Sequence, residues 1–142
     1  MSTINYLNDY NLYDFFENAD SITIYNSNNK LNFKKNTPEF NELLSEFQDT
    51  IYNSYELPAL SVSLHNETIQ ALKLDCWIEF NFTSTLSHND LPFQSLLIQI
   101  TPEQNALNII RKQNSQYEGR CFYLNLDSTK TSLFNLITSK FN

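Results

Sequence analysis

The chain predicts an α+β fold: an antiparallel sheet of about five to six strands with helices packed on one face. Three observations predict it. Runs of alternating apolar and polar residues recur at 21–26, 30–35, 75–84 and 95–101, with the two-residue period of strands. The first and second runs, and the third and fourth, are joined by short segments, which suit antiparallel pairing. Stripes of helical period at 38–52 and 128–141 supply the cover that one sheet face needs.

The length of 142 residues is read as one domain, 1–142, because domains most often hold about 100–150 residues. A chain of this size buries about 68% of the surface its unfolded form exposes, so it needs neither metal nor disulfide to be stable. Hydrophobic and aromatic contents of 41% and 14% are enough for a core and argue against wholesale disorder.

The elements follow in order. Residues 4–17 read as a helix capped by Ser2 or Thr3, with Ile4, Leu7, Leu12 and Phe15 as a loose apolar stripe. Tyr6, Tyr10 and Tyr13 fall at helical spacing and read as an edge packed on the core. Ile22 with Ile24, then Leu31 with Phe33, flank Asn28 and Asn29. Two residues that tolerate positive φ are what a tight hairpin requires, so strands are expected at about 21–26 and 30–35. Thr37, Pro38 and Glu39 combine a capping hydroxyl, a proline suited to the first helical position and an acid at the positive end of the helix dipole. Phe40, Leu43, Leu44, Phe47 and Ile51 then form a helical face ending near Tyr52.

Residues 60–64 read as a short strand, and Asn66 as the cap of a short helix packed by Ile69 and Leu72. In 75–84, Cys76, Ile78, Phe80 and Phe82 occupy one face while Asp75, Trp77, Glu79 and Asn81 occupy the other. The stretch STLSHNDLP reads as a loop, and Leu96, Ile98 and Ile100 mark the returning strand. Residues 102–113 admit two readings, a helix opened by a capping box of Thr101 with Gln104, or a strand. The β-branched Ile109 and Ile110 favour a strand paired with 119–126 across a loop at 113–117, with Arg111 and Arg120 near its base. A last helix begins at Ser128 or Thr129 and uses Leu133, Phe134, Ile137 and Phe141.

Composition excludes several chemistries. Gly119 is the only glycine, so a P-loop, a dinucleotide G-x-G-x-x-G turn and a G-x-S-x-G elbow cannot be written on the chain. Asparagine occurs 20 times and is expected to replace glycine at turns, because it tolerates the left-handed region. His65 and His88 stand apart from each other and from any C-x-x-C or H-E-x-x-H pattern, so no metal and no cofactor is expected. Cys76 and Cys121 read as buried free thiols, since two cysteines make no disulfide framework. Cys121 is the better nucleophile of the two, and a half-buried thiol is preferred to a catalytic one.

The net charge is −7, and residues 1–72 carry ten acids against three bases while 73–142 carry six of each. Phosphate backbones and anionic membranes are bound through Lys and Arg, so neither nucleic acid nor membrane is an expected partner. No apolar run is long enough for a transmembrane helix. The opening residues lack a basic n-region and an apolar h-region, so no signal peptide is expected and a cytoplasmic location is.

Two surfaces stand out. Asp75, Trp77 and Glu79 share one strand face and, with Arg120, form the ligand- or partner-binding candidate. The Cα atoms of the two acids are about 13 Å apart, beyond the ~6.5–9.5 Å carboxyl separation of inverting glycosidases. Trp77 is expected to be a partly covered aromatic on the outer face, among cross-strand ion pairs. The second surface is acidic: Asp14 and Glu17 from the first helix, with Glu42, Glu46 and Asp49 from the second. The leading reading is a non-catalytic acidic module, inhibitor- or immunity-like, that binds another, basic protein through charge steering and aromatic anchors. One alternative is a small-ligand binder or hydrolase at the outer face around Trp77, and the other is a structural homo-oligomer.

Overall fold

The computed structural model describes residues 11–58 and 60–142. Residues 4–10 of the first expected helix, with Tyr6 and Tyr10, lie outside the described residues. From Leu12 to Asn18 the chain is a 3-10 helix capped by Asn11, whose Oδ1 accepts from the Tyr13 amide.

Strands β1 (Ser21–Asn26) and β2 (Asn29–Lys34) form the expected hairpin. Its central residues are Ser27 and Asn28, at φ +50° and +75°, one position earlier than the sequence suggests. Helix α1 (Pro38–Ile51) starts as its residues dictate, with the Thr37 hydroxyl accepting from the Phe40 amide, and buries Phe40, Leu43, Phe47 and Ile51. The short β3 (Tyr55–Leu57) follows, then β4 (Val62–Ser63). Helix α2 (His65–Leu72) begins after Leu64 without a side-chain cap, so Asn66 lies inside the helix and does not cap it.

Strands β5 (Cys76–His88) and β6 (Leu91–Gln99) run through the segment expected to be a loop. A register shift between Asn81 and Leu86 keeps Leu86 and His88 facing inward, so the strand gains buried contacts by continuing. The turn is only Asn89 and Asp90, both at positive φ, and the pair His88–Leu91 closes it. Strands β7 (Ala106–Lys112) and β9 (Phe122–Asn125) bear out the strand reading of 102–113. Between them β8 (Gly119–Arg120) leaves the main sheet to pair with β4. Helix α3 (Thr131–Ser139) buries Leu133 and Ile137 and packs against α1.

The product is an α+β fold with a seven-stranded antiparallel sheet in the order β2-β1-β5-β6-β7-β9-β3 and a small two-stranded sheet, β4-β8. The sequence missed β3, whose three residues pair with β9 at the sheet edge. The 3-10 helix, α1 and α3 cover one face. The main core forms there from Ile22, Ile24, Ile78, Phe80, Phe82, Leu96, Ile98, Ile109 and Phe122 with Phe16, Phe47 and Leu133. A second, smaller cluster forms on the reverse face, where Ile69, Ala71 and Leu72 of α2 rest on Trp77, Leu97 and Ile110.

Candidate functional site

The reverse face does not hold the site that its sequence suggests. Trp77 is 3% exposed, and its Nε1 donates to the Leu74 carbonyl at 2.7 Å. The expectation of a partly covered surface aromatic is therefore corrected: α2, invisible to the strand's own alternation, lies across it. Glu79 is also 3% exposed and accepts from the Tyr25 and Tyr117 hydroxyls at 2.7 and 2.5 Å. Burial first, and then the Glu79 charge, pushes both phenols far above their ordinary range, so they stay neutral donors. Asp75 is exposed, precedes the strand at φ +63° and accepts from Gln99 Nε2. Arg120 is exposed on β8, and its carbonyl accepts from Arg111 Nε at 2.7 Å.

The four residues expected to form one site are thus distributed over a turn, a buried cluster and a second sheet. A cavity of about 90 Å³ beside Trp77 and Gln99 contains neither carboxylate. The rest of the face is internally bonded: Asn81 Nδ2 donates to Ser21 and Thr23, and Ser95 donates to Asn81 Oδ1. Among the described residues no buried side-chain nitrogen or oxygen lacks a partner. Such a network specifies strand register and leaves little free for chemistry.

The acidic residues behave differently. Asp14 and Glu17 are exposed on the 3-10 helix, Glu42 and Asp49 are exposed on α1, and Glu46 is half-buried. The 3-10 helix packs against α1. Tyr13 lies where they meet: its hydroxyl pKa is raised by burial and then by the charges of Asp49, Glu17 and Asp14. Glu42 is paired with Lys140 from the end of α3.

Beside Tyr13 opens a cleft of about 630 Å³, within the ~300–1,000 Å³ of small-ligand sites. The end of α1 contributes Tyr52, the segment after it Asn53 and Ser54, β3 Tyr55 and Glu56, and the β5–β6 turn His88 and Asn89. Asn53 at φ +61° turns the chain out of α1 into β3, which places Tyr52 and Tyr55 on one rim. Glu56 is pinned at both oxygens: His88 Nε2 lies 2.8 Å from Oε1, and Asn89 Nδ2 donates to Oε2 at 3.3 Å. His88 is 7% exposed, with the rings of Phe15 and Phe122 meeting it edge to face at 5.6 and 5.1 Å. A second hollow of about 500 Å³ lies on the Asp14, Phe15, Glu17 and Leu86 side of the 3-10 helix.

Glu56 was not singled out in the sequence, and His88 was weighed there as a metal ligand and set aside. Their signal was the run Tyr52-Asn53-Ser54-Tyr55-Glu56, polar and aromatic without a cation, together with the turn-forming Asn89 and Asp90. Neither thiol lines this cleft. Both cysteines are buried and free, and burial, then the Asp75 charge, pushes the Cys76 thiol up to about 12. Among the described residues no three His, Cys, Asp or Glu side chains are grouped to hold a metal, and no helix is long and apolar enough to cross a membrane. Comparison with family models, with curated proteins and with solved structures finds no match to this chain.

Proposed function

We propose that the chain is a non-catalytic cytoplasmic binding module that captures a basic protein on its acidic face, as inhibitor and immunity proteins do. The observation that carries this reading is that the 3-10 helix with exposed Asp14 and Glu17 packs against α1 with exposed Asp49, and Tyr13, which lines the tyrosine-walled cleft, feels all three charges. Exposed like charges gathered in one place raise the rate of encounter with an oppositely charged partner. Tyrosines beside them supply area that is rigid and amphipathic, the composition of interface anchors. Glu46 extends the patch along α1, whereas Glu42 is engaged by Lys140.

The test is selection of basic peptides on the wild-type chain, followed by association kinetics with two triple variants that remove the same charge. Asp14→Lys/Glu17→Lys/Asp49→Lys should slow association by about tenfold or more at low salt. Glu103→Lys/Glu118→Lys/Asp127→Lys, exposed elsewhere, should change it by about threefold or less. Equal effects of the two triples, or no enrichment of basic sequences, would sink the reading.

A second reading, a homo-oligomer, is favoured by one observation. Leu60, Val62 and Leu64 alternate along the β4 segment, all more than half exposed, and among the described residues β4 pairs on one side only. Sedimentation decides it: this reading requires a dimer that Val62→Lys dissociates, and a monomer at high micromolar concentration removes it.

A further inference from the structure

The acidic-face reading asks only for exposed charge and leaves the cleft without a role. We propose that the cleft is a receptor for a single guanidinium side chain, with Glu56 as its carboxylate anchor and Tyr13, Tyr52 and Tyr55 as its walls. The proposal rests on the reading that the partner is a basic protein and names the group that partner inserts.

Glu56 is the first argument. A carboxylate offers about four acceptor positions, and His88 and Asn89 take one on each oxygen. One acceptor position therefore remains on each oxygen, the arrangement that a two-pronged guanidinium matches and a point-charge ammonium does not. The anchor is also pre-positioned. His88 is buried and packed between Phe15 and Phe122, so little of its side-chain entropy remains to be lost when a ligand docks.

The walls are the second argument. Tyr52 and Tyr55 are 65% and 59% exposed while bordering a concave space. Aromatic faces around a carboxylate attract a cation and stack on a planar guanidinium. The third argument is what the cleft lacks. Among the described residues its lining includes no Lys or Arg, and residues 36–72, which supply most of its walls, contain none at all. Among the described residues, the charge of Glu56 is thus met from within the cleft only by a histidine and an amide. A hydrolytic use of the His88–Glu56 pair is less well served, because among the described residues the His88 ring bonds to no hydroxyl or thiol.

The experiment titrates the full chain with N-acetyl-arginine methylamide, and with its neutral isostere N-acetyl-citrulline methylamide, followed by amide NMR shifts. Expected are saturable shifts at Asn53, Glu56 and Asn89 with the arginine compound, at least about tenfold weaker for citrulline. Glu56→Gln should weaken arginine binding by about tenfold. Tyr52→Ala, at an exposed site that does not endanger folding, should weaken it several-fold. The Asp14/Glu17/Asp49 triple reversal should change it by about threefold or less, since those charges act across solvent. No saturable shift by about 50 mM, equal response to arginine and citrulline, or unchanged binding by both Glu56→Gln and Tyr52→Ala overturns the proposal. If basic peptides depend on the acidic triple while arginine leaves the cleft unshifted, the cleft assignment falls and the acidic-face reading stands. If arginine binds as expected while both charge triples behave alike with peptides, the reverse holds.

Discussion

Gly119 offers the sharpest test of the fold, because the chain's only glycine meets two demands at once. Its φ is +104°, and a Cβ built on it would lie 2.6 Å from Arg111 Nη2. In Gly119→Ala the backbone alone costs about 1–3 kcal/mol for an L-residue held in that region. The far end of an arginine usually yields cheaply, but Arg111 is 5% exposed and fixed elsewhere: Nε donates to the Arg120 carbonyl at 2.7 Å and Nη1 to the Pro92 carbonyl at 2.6 Å. Moving Nη2 aside breaks at least one of these charge-assisted bonds, each worth about 1.5–3 kcal/mol. Together the loss is about 2.5–6 kcal/mol, a large share of the ~5–15 kcal/mol by which domains are stable. Equilibrium urea unfolding of wild type, Gly119→Ala, Arg111→Met and the double variant measures it. With the guanidinium gone, the alanine should cost only the backbone strain, leaving a coupling of about 1.5–3 kcal/mol between the sites. A loss below about 1 kcal/mol, or the same loss in both backgrounds, refutes the reasoning.

Trp77→Ala should cost about 3–5 kcal/mol, and native Trp77 should emit to the blue and resist acrylamide; ready quenching would contradict its burial. Stability should fall as pH rises past about 10, because Tyr25 and Tyr117 keep their protons in the folded chain while their unfolded counterparts ionise near the ordinary value of 10.0. Lys130 opposes this: burial lowers its pKa, so its penalty fades as pH climbs toward 10.5, but two phenols outweigh one amine. Melting temperatures from about pH 8 to pH 11, with tyrosinate absorbance followed in parallel, check it; phenols that titrate together at their ordinary value without loss of structure would show that Glu79 does not hold them.

How much of this was legible depended on whether a signal was local. The β1–β2 hairpin, α1, and the apolar face of Ile78, Phe80, Phe82, Leu96 and Ile98 were legible, because period and capping act within a few residues. Strand β3 was not: its three residues gain their place from pairing with β9 nearly seventy positions away in the chain. The stretch STLSHNDLP misled because serine, threonine and asparagine are turn residues on average. Here only Asn89 and Asp90 turn, and after the register shift between Asn81 and Leu86 the strand pairs again, Leu86–His88 against Leu91–Phe93. Trp77 misled for a third reason. Alternation reports two faces but not what will lie on each, and α2, with Ile69 and Leu72, makes the second face an interior.

The asparagines carry the same distinction into the site. Among the described residues nine non-glycine positions hold positive φ, and asparagine occupies five of them, at 28, 36, 53, 89 and 114. Replacement of glycine at turns was legible from composition, since asparagine bears the left-handed region better than other side chains. What composition does not convey is that the replacing side chain remains available for other bonds. Asn53 turns α1 into β3 and sets the tyrosines on the rim; Asn89 closes the β5–β6 turn and its Nδ2 also reaches Glu56 Oε2. Glycine at 89 would close that turn at no steric cost, yet it would leave Glu56 held by His88 alone. The backbone requirement that makes position 89 look like a mere turn is therefore the one that brings an amide donor to the anchor of the cleft, and the two roles are separable only by asking what the side chain touches.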